Sequence, residues 1–98
     1  MREISYHPQA ADEMIAAAAW YRERQKLLAD EFVDEFTKVI NFMQYFPESG
    51  LIVQGEARRI LMNRFPYAVV YLHNSEELKI VALSHLSRRP GYWAKRKF

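Results

Sequence analysis

The spacing of apolar positions changes along this chain, and each change marks an element. Arg2 to Tyr6 alternate polar and apolar, with Ile4 between Glu3 and Ser5, and His7-Pro8 stops the run. That pattern predicts a short first strand followed by a helix with Pro8 in its first turn. From Gln9 to about Lys26 the alanines, Met14, Ile15, Trp20 and Tyr21 recur at helical spacing. Asp12 and Glu13 stand early in this segment and Arg22, Arg24 and Lys26 late, the order the helix dipole favours. A second helix is expected from Asp30, as N-cap, with Phe32, Phe36, Ile40 and Met43 on one stripe, Val33 and Val39 beside them, and Phe46-Pro47 at its end. The two helices are expected to pair as a hairpin.

Pro47 to Ala57 contains two of the three glycines and a proline, which predicts a loop. Beyond it the period becomes two. Arg58 to Met62, Phe65 to Leu72 and Leu78 to His85 are rich in β-branched and aromatic residues, with Asn74 to Glu77 as a hairpin turn, so three sequential strands should form an antiparallel meander. Ile80 to Leu83 is apolar at every position, the mark of a central strand with helices on one side and partial cover on the other. The fold class expected is α+β in one domain spanning residues 1–98: a strand, a helical hairpin and a meander.

Composition narrows the chemistry. The chain has no cysteine, which removes disulfides, a thiolate nucleophile and thiolate metal sites, and suits a reducing cytoplasm. The first residues lack the apolar stretch of a secretion signal, and Met14 to Trp20 and Ala68 to Leu72 fall far short of the roughly 20 residues that span a bilayer. A cytoplasmic protein without membrane contact is therefore expected. Net charge is +2 but lopsided: residues 1–50 carry 5 basic and 9 acidic groups, residues 51–98 carry 9 and 3. The ending RRPGYWAKRKF has five cations and no acid, which favours a polyanion or an acidic protein, unless it is only a solubilising tail.

Ala10-Ala11-Asp12-Glu13, Phe46-Pro47-Glu48, Arg58, Phe65-Pro66-Tyr67, Tyr71, His85 and Arg88-Arg89-Pro90-Gly91-Tyr92-Trp93 followed by Arg96 together resemble the RelE/ParE toxin superfamily. The Phe-Pro-Tyr and His-x-x-Arg-x-Pro-x-Tyr-Trp motifs resemble its ParE-like, plasmid-stabilisation branch. The resemblance covers essentially the whole chain. It implies a growth-inhibiting type II toxin neutralised by a cognate antitoxin that lays an extended or helical segment over it. RelE-like relatives cut messenger RNA on the ribosome, whereas ParE members inhibit DNA gyrase, so fold leaves the mechanism open. A protein of this fold that only binds a partner, without toxicity, is a third alternative.

RNA cleavage through the 2′-hydroxyl needs a proton acceptor, a donor for the leaving oxygen, and cations around the phosphate. The residues available for these roles are His85, Arg58, Arg64, Arg88 and Tyr92. His85 is the titratable choice, though a histidine at a strand end also serves structural hydrogen bonds. Arg58 and Arg64 either reach a phosphate, or are exposed sheet residues, or pair with helix carboxylates such as Asp34 and Glu35. Tyr92 and Trp93 either stack on bases or fold back onto the core. Arg89, Trp93, Lys95 and Arg96 are the expected contacts to a target or antitoxin. His7, His73 and His85 lack metal-ligand spacing and no phosphate-binding glycine loop occurs, so neither metal nor cofactor is expected. The carboxylates of Asp30, Glu31, Asp34 and Glu35 read as a solvated helix face.

Overall fold

The structure is a computed structural model that describes all 98 residues. Its elements in chain order are β1 (Glu3–Tyr6), α1 (Pro8–Arg24), α2 (Lys26–Tyr45), β2 (Leu51–Gln54), β3 (Ala57–Leu61), β4 (Tyr67–His73) and β5 (Glu77–His85). One five-stranded sheet runs in the order β1-β5-β4-β3-β2. Strands β2 to β5 form an antiparallel meander, and β1 lies parallel to β5, with Ile4 opposite Leu78 and Tyr6 opposite Ile80. The α+β class and the order of elements are those expected.

Local chemistry explains most boundaries. His7 caps α1: its Nδ1 accepts the Gln9 N–H at 3.1 Å, and Pro8 occupies a first-turn position where its missing donor costs nothing. The second helix starts at Lys26, not at Asp30. Gln25 alone separates the helices, in an extended conformation, with its N–H still bonded to the Tyr21 carbonyl and without a side-chain cap for α2. Asp30 is therefore inside α2. The Pro47–Ala57 segment is not entirely loop, because it contains β2, an edge strand whose four residues are all exposed. The next strand, β4, begins at Tyr67, after Phe65-Pro66 complete the turn from β3.

Both helices cover one face of the sheet. The core there joins Ala10, Ala17 and Tyr21 of α1, Phe32, Phe36 and Met43 of α2, and Val69, Tyr71, Leu78, Ile80 and Leu83 of the strands. Phe65 meets the rings of Tyr21 and Phe32 edge-on at 5.1 and 5.2 Å, contacts that add about 1 kcal/mol each beyond burial. The opposite face holds a second cluster of Ala57, Val70, Val81 and Ala82, covered by Trp93. Register shifts where Val70 pairs Ala82 but Tyr71 pairs Ile80, leaving Val81 as an extra residue. This bulge puts Val81 and Ala82 into the same cluster and accounts for the unbroken apolar run in β5.

Candidate functional site

The end of β5 and the chain that follows form the junction between two clefts. After His85 the chain turns, with the Arg88 N–H on the His85 carbonyl at 2.9 Å and the Leu86 N–H on that of Pro66 at 2.9 Å. Gly91, at φ 76°, sits in the left-handed region that other residues avoid, and lets the segment double back so that Trp93 reaches the sheet. One cleft, of about 450 Å³, lies between α1 and the end of β5 and is bordered by Trp20, Tyr67, Leu83, His85 and Arg88. The other, of about 390 Å³, lies on the open face of the sheet and is bordered by Arg59, Val70, Ser84, His85, Arg88 and Trp93. His85 and Arg88 are common to both.

Glu13 is the fixed point of this region. Its carboxylate accepts two hydrogen bonds from Arg96, Nη1 to Oε1 at 2.8 Å and Nη2 to Oε2 at 2.9 Å. It also accepts the Tyr92 hydroxyl at 2.6 Å and the Leu83 N–H at 3.1 Å. Arg96 Nη1 additionally donates to the Val81 carbonyl at 3.0 Å. Burial disfavours the charged carboxylate, but the Arg96 and Tyr92 hydrogen bonds, the Arg96 charge and the Leu83 N–H outweigh it and hold Glu13 below the ordinary carboxylate range. Burial, then the hydrogen bond and charge of Glu13, push the Tyr92 hydroxyl up to about 12, so it is a donor throughout the neutral range. The cluster ties the C-terminal segment to α1.

The residues considered for RNA cleavage do not converge. Arg58 shares the helix-covered side with Tyr71, its partner in register, and donates to the carbonyls of Glu48 and Gly50, both at 2.9 Å. Arg64 bonds Glu31 of α2 at 2.8 Å, not Asp34 or Glu35, and adopts φ 71° in the turn between β3 and β4. Of the four acids expected on a solvated face, Asp30 and Asp34 are exposed, Glu31 is 36% exposed in its pair with Arg64, and Glu35 is only 14% exposed, 3.6 Å from Lys38. Tyr92 is held by Glu13 at the C-terminal segment. His85, Arg88 and Tyr92 are neighbours, His85 and Arg88 along the same two clefts and Tyr92 against Arg88. His85 Nδ1 faces Ser87, 3.0 Å from its N–H and 2.7 Å from its Oγ, and the ring stands edge-on to Tyr67 at 5.0 Å. Arg88 covers the ring of Tyr92 with its guanidinium 3.8 Å from the centroid.

Of the four expected contact residues, Arg89 and Lys95 are exposed. Trp93 is 8% exposed and packs in the second core, and Arg96 is turned inward to Glu13. Both inward residues have their side chains engaged within the fold. Two residues that matter were not among the site candidates read from sequence, although Glu13 belongs to the Ala10-Ala11-Asp12-Glu13 motif. Arg59 follows Arg58 on the strand and so faces the opposite side of the sheet, into the open cleft. Glu13 lies three residues after Ala10 and four before Ala17, both buried, an acid on the inner stripe of α1 that calls for a cation.

No helix of the chain is long and apolar enough to cross a membrane. Its fold is one five-stranded sheet with a helical hairpin on one face. A solved structure described as the chromosomal ParDE TA system from P. aeruginosa is similar to it with a TM-score of 0.75. The match covers 89% of this chain and 98% of that one at 15% sequence identity, a likeness of fold. No family model and no curated protein matches the chain.

Proposed function

We propose that this chain is the toxin of a type II toxin–antitoxin pair, acting in the cytoplasm by ParE-like inhibition of DNA gyrase and neutralised by a cognate antitoxin. The observation that carries the mechanism is the dispersal of the groups RNA cleavage would need: Arg58 is bound to backbone carbonyls and Arg64 to Glu31 on the helix side, whereas His85 and Arg88 border the open-face cleft. A phosphoryl-transfer centre needs its cations and its proton carrier around one phosphate. Protein contact needs no such convergence. The fold likeness to a ParDE system supports the toxin–antitoxin assignment.

A second reading, RelE-like cleavage of ribosome-bound messenger RNA, has one feature in its favour: Arg59, His85 and Arg88 border one cleft. Assays with purified protein separate the two. Inhibition of gyrase supercoiling with messenger RNA left intact supports the first, and cleavage of messenger RNA on ribosomes supports the second. If the protein does neither and leaves growth unaffected, it is a binding module and the proposal fails.

A further inference from the structure

Two hollows meet at Arg88 beside α1. The larger is the cleft of about 450 Å³ between α1 and the end of β5, with Trp20, Tyr67 and His85 among its walls. The smaller, of about 320 Å³, is lined by Gln9, Arg88, Tyr92, Lys95 and Arg96, three cations and no acid. Clefts of about 300 to 1,000 Å³ are the size that holds small ligands. One carboxylate borders them, that of Glu13, and Arg96, Tyr92 and the Leu83 N–H already occupy it. Arg96 is spent in that cluster. Arg88 and Lys95 take part in no ion pair.

The walls of the larger hollow suit a flat ring. Trp20 is 50% exposed, and the Arg24 guanidinium lies over one of its faces, 3.4 Å from the ring centroid. Arg24 does not border the cleft, so the indole face turned toward it is the free one. His85 Nδ1 accepts the Ser87 N–H, so the neutral ring carries its proton on Nε2 and can donate from there. Arg88 is held over the Tyr92 ring, 3.8 Å from its centroid, which leaves the N–H edges of the guanidinium to bond an anion.

We propose that the two hollows together bind a free nucleoside di- or triphosphate, with the base stacked on Trp20 in the larger and the phosphates on Arg88 and Lys95 in the smaller. A base needs a free aromatic face, and phosphates need unpaired cations. Both adjoin here. Two such cations around one hollow suit a chain of phosphates better than a single phosphodiester. Side chains hold the phosphates, in place of the glycine loop that the sequence lacks. The bound nucleotide bridges α1 and the segment after β5, so it adds to folding stability. This site does not depend on the target on which the toxin acts.

Calorimetric titration of the full chain with ATP tests this, with adenosine and inorganic triphosphate as the two halves of the ligand. ATP suffices as probe because stacking tolerates any base. It should bind more tightly than either half and raise the unfolding temperature. Trp20→Ala should weaken ATP about tenfold or more and leave inorganic triphosphate unchanged. Arg88→Ala and Lys95→Ala should weaken ATP and triphosphate and leave adenosine unchanged. Ala16→Phe fills the larger hollow from an exposed position without removing a side-chain contact, and should abolish ATP binding in a protein that still folds. Absence of ATP binding, equal binding of ATP and inorganic triphosphate, or ATP binding that survives both Trp20→Ala and Ala16→Phe would overturn the assignment. So would a single-stranded oligonucleotide that displaces ATP at lower concentration through the same residues, which would give the site to a strand.

Discussion

Glu13 and Arg96 lie 83 residues apart in sequence and are joined by two parallel hydrogen bonds of 2.8 and 2.9 Å, with side chains only 17% and 9% exposed. A pair held this way closes the last turn of the chain onto the first helix. Removing the carboxylate strands a guanidinium in a dry setting, where the penalty exceeds the value of the pair itself. Glu13→Ala should therefore lower folding stability by about 3 kcal/mol in urea denaturation. Hydrogen exchange should also rise across residues 92–96. A loss below about 0.5 kcal/mol would mean that water replaces Glu13 freely.

The same cluster sets a pH dependence. The folded-state carboxyl of Glu13 titrates below its ordinary value of 4.5, so the stability it contributes is present above that value and is lost as pH falls through the depressed one. Glu13→Gln should flatten the acid limb of the stability curve. Tyr92 has the opposite sign. Its hydroxyl is raised from 10.0 to about 12, so its contribution is complete below pH 10 and is lost between pH 10 and 12. Tyr92→Phe should remove that alkaline loss. An unchanged acid limb in Glu13→Gln or an unchanged alkaline limb in Tyr92→Phe would contradict these assignments.

Trp93 is the buried cover of the open-face cluster, with Leu72 and Tyr92 packed against it and only partly buried. Trp93→Ala uncovers Ala57, Val70, Val81 and Ala82 at once and should cost about 3 kcal/mol. Trp93→Phe keeps most of the cover and should cost less than half as much. Equal losses in the two variants would point to the indole N–H, not to packing.

Tyr71 crosses the sheet to the loop before β2. Its hydroxyl donates to the Pro47 carbonyl at 2.8 Å and accepts the Gly50 N–H at 3.1 Å. Tyr71→Phe leaves a buried N–H without its partner and should cost about 2 kcal/mol. Gly50→Ala should be at least as damaging, because the added methyl falls on the Tyr71 hydroxyl and lies 3.0 Å from the Arg59 carbonyl. Denaturation midpoints of the two variants check this, and a neutral Gly50→Ala would show that the loop can shift.

Periodicity made the main elements legible before any coordinates. The stripe Phe32-Phe36-Ile40-Met43 and the apolar run of β5 are where the pattern placed them, because both fill a core that tolerates no other pattern. What escaped lacked a local signal. Gln25 breaks two helices without Pro, Gly or a capping side chain, so only tertiary packing fixes that corner. The β2 strand has no buried face, hence no alternation to detect. The site was less legible than the fold. Arginine identities were visible but their partners were not: Arg64 meets Glu31 and Arg96 meets Glu13 through chain reversals that spacing alone does not reveal. Trp93 and Tyr92 followed the packing alternative, which the size of the chain favoured.

Growth after induction, with messenger RNA examined for cleavage in wild type and in His85→Ala, bears most directly on the central claim. If the chain acts by protein contact without catalysis, both proteins arrest growth and both leave messenger RNA intact. Messenger RNA cut by the wild type and spared by His85→Ala would contradict the account and make His85 the proton carrier of a ribonuclease.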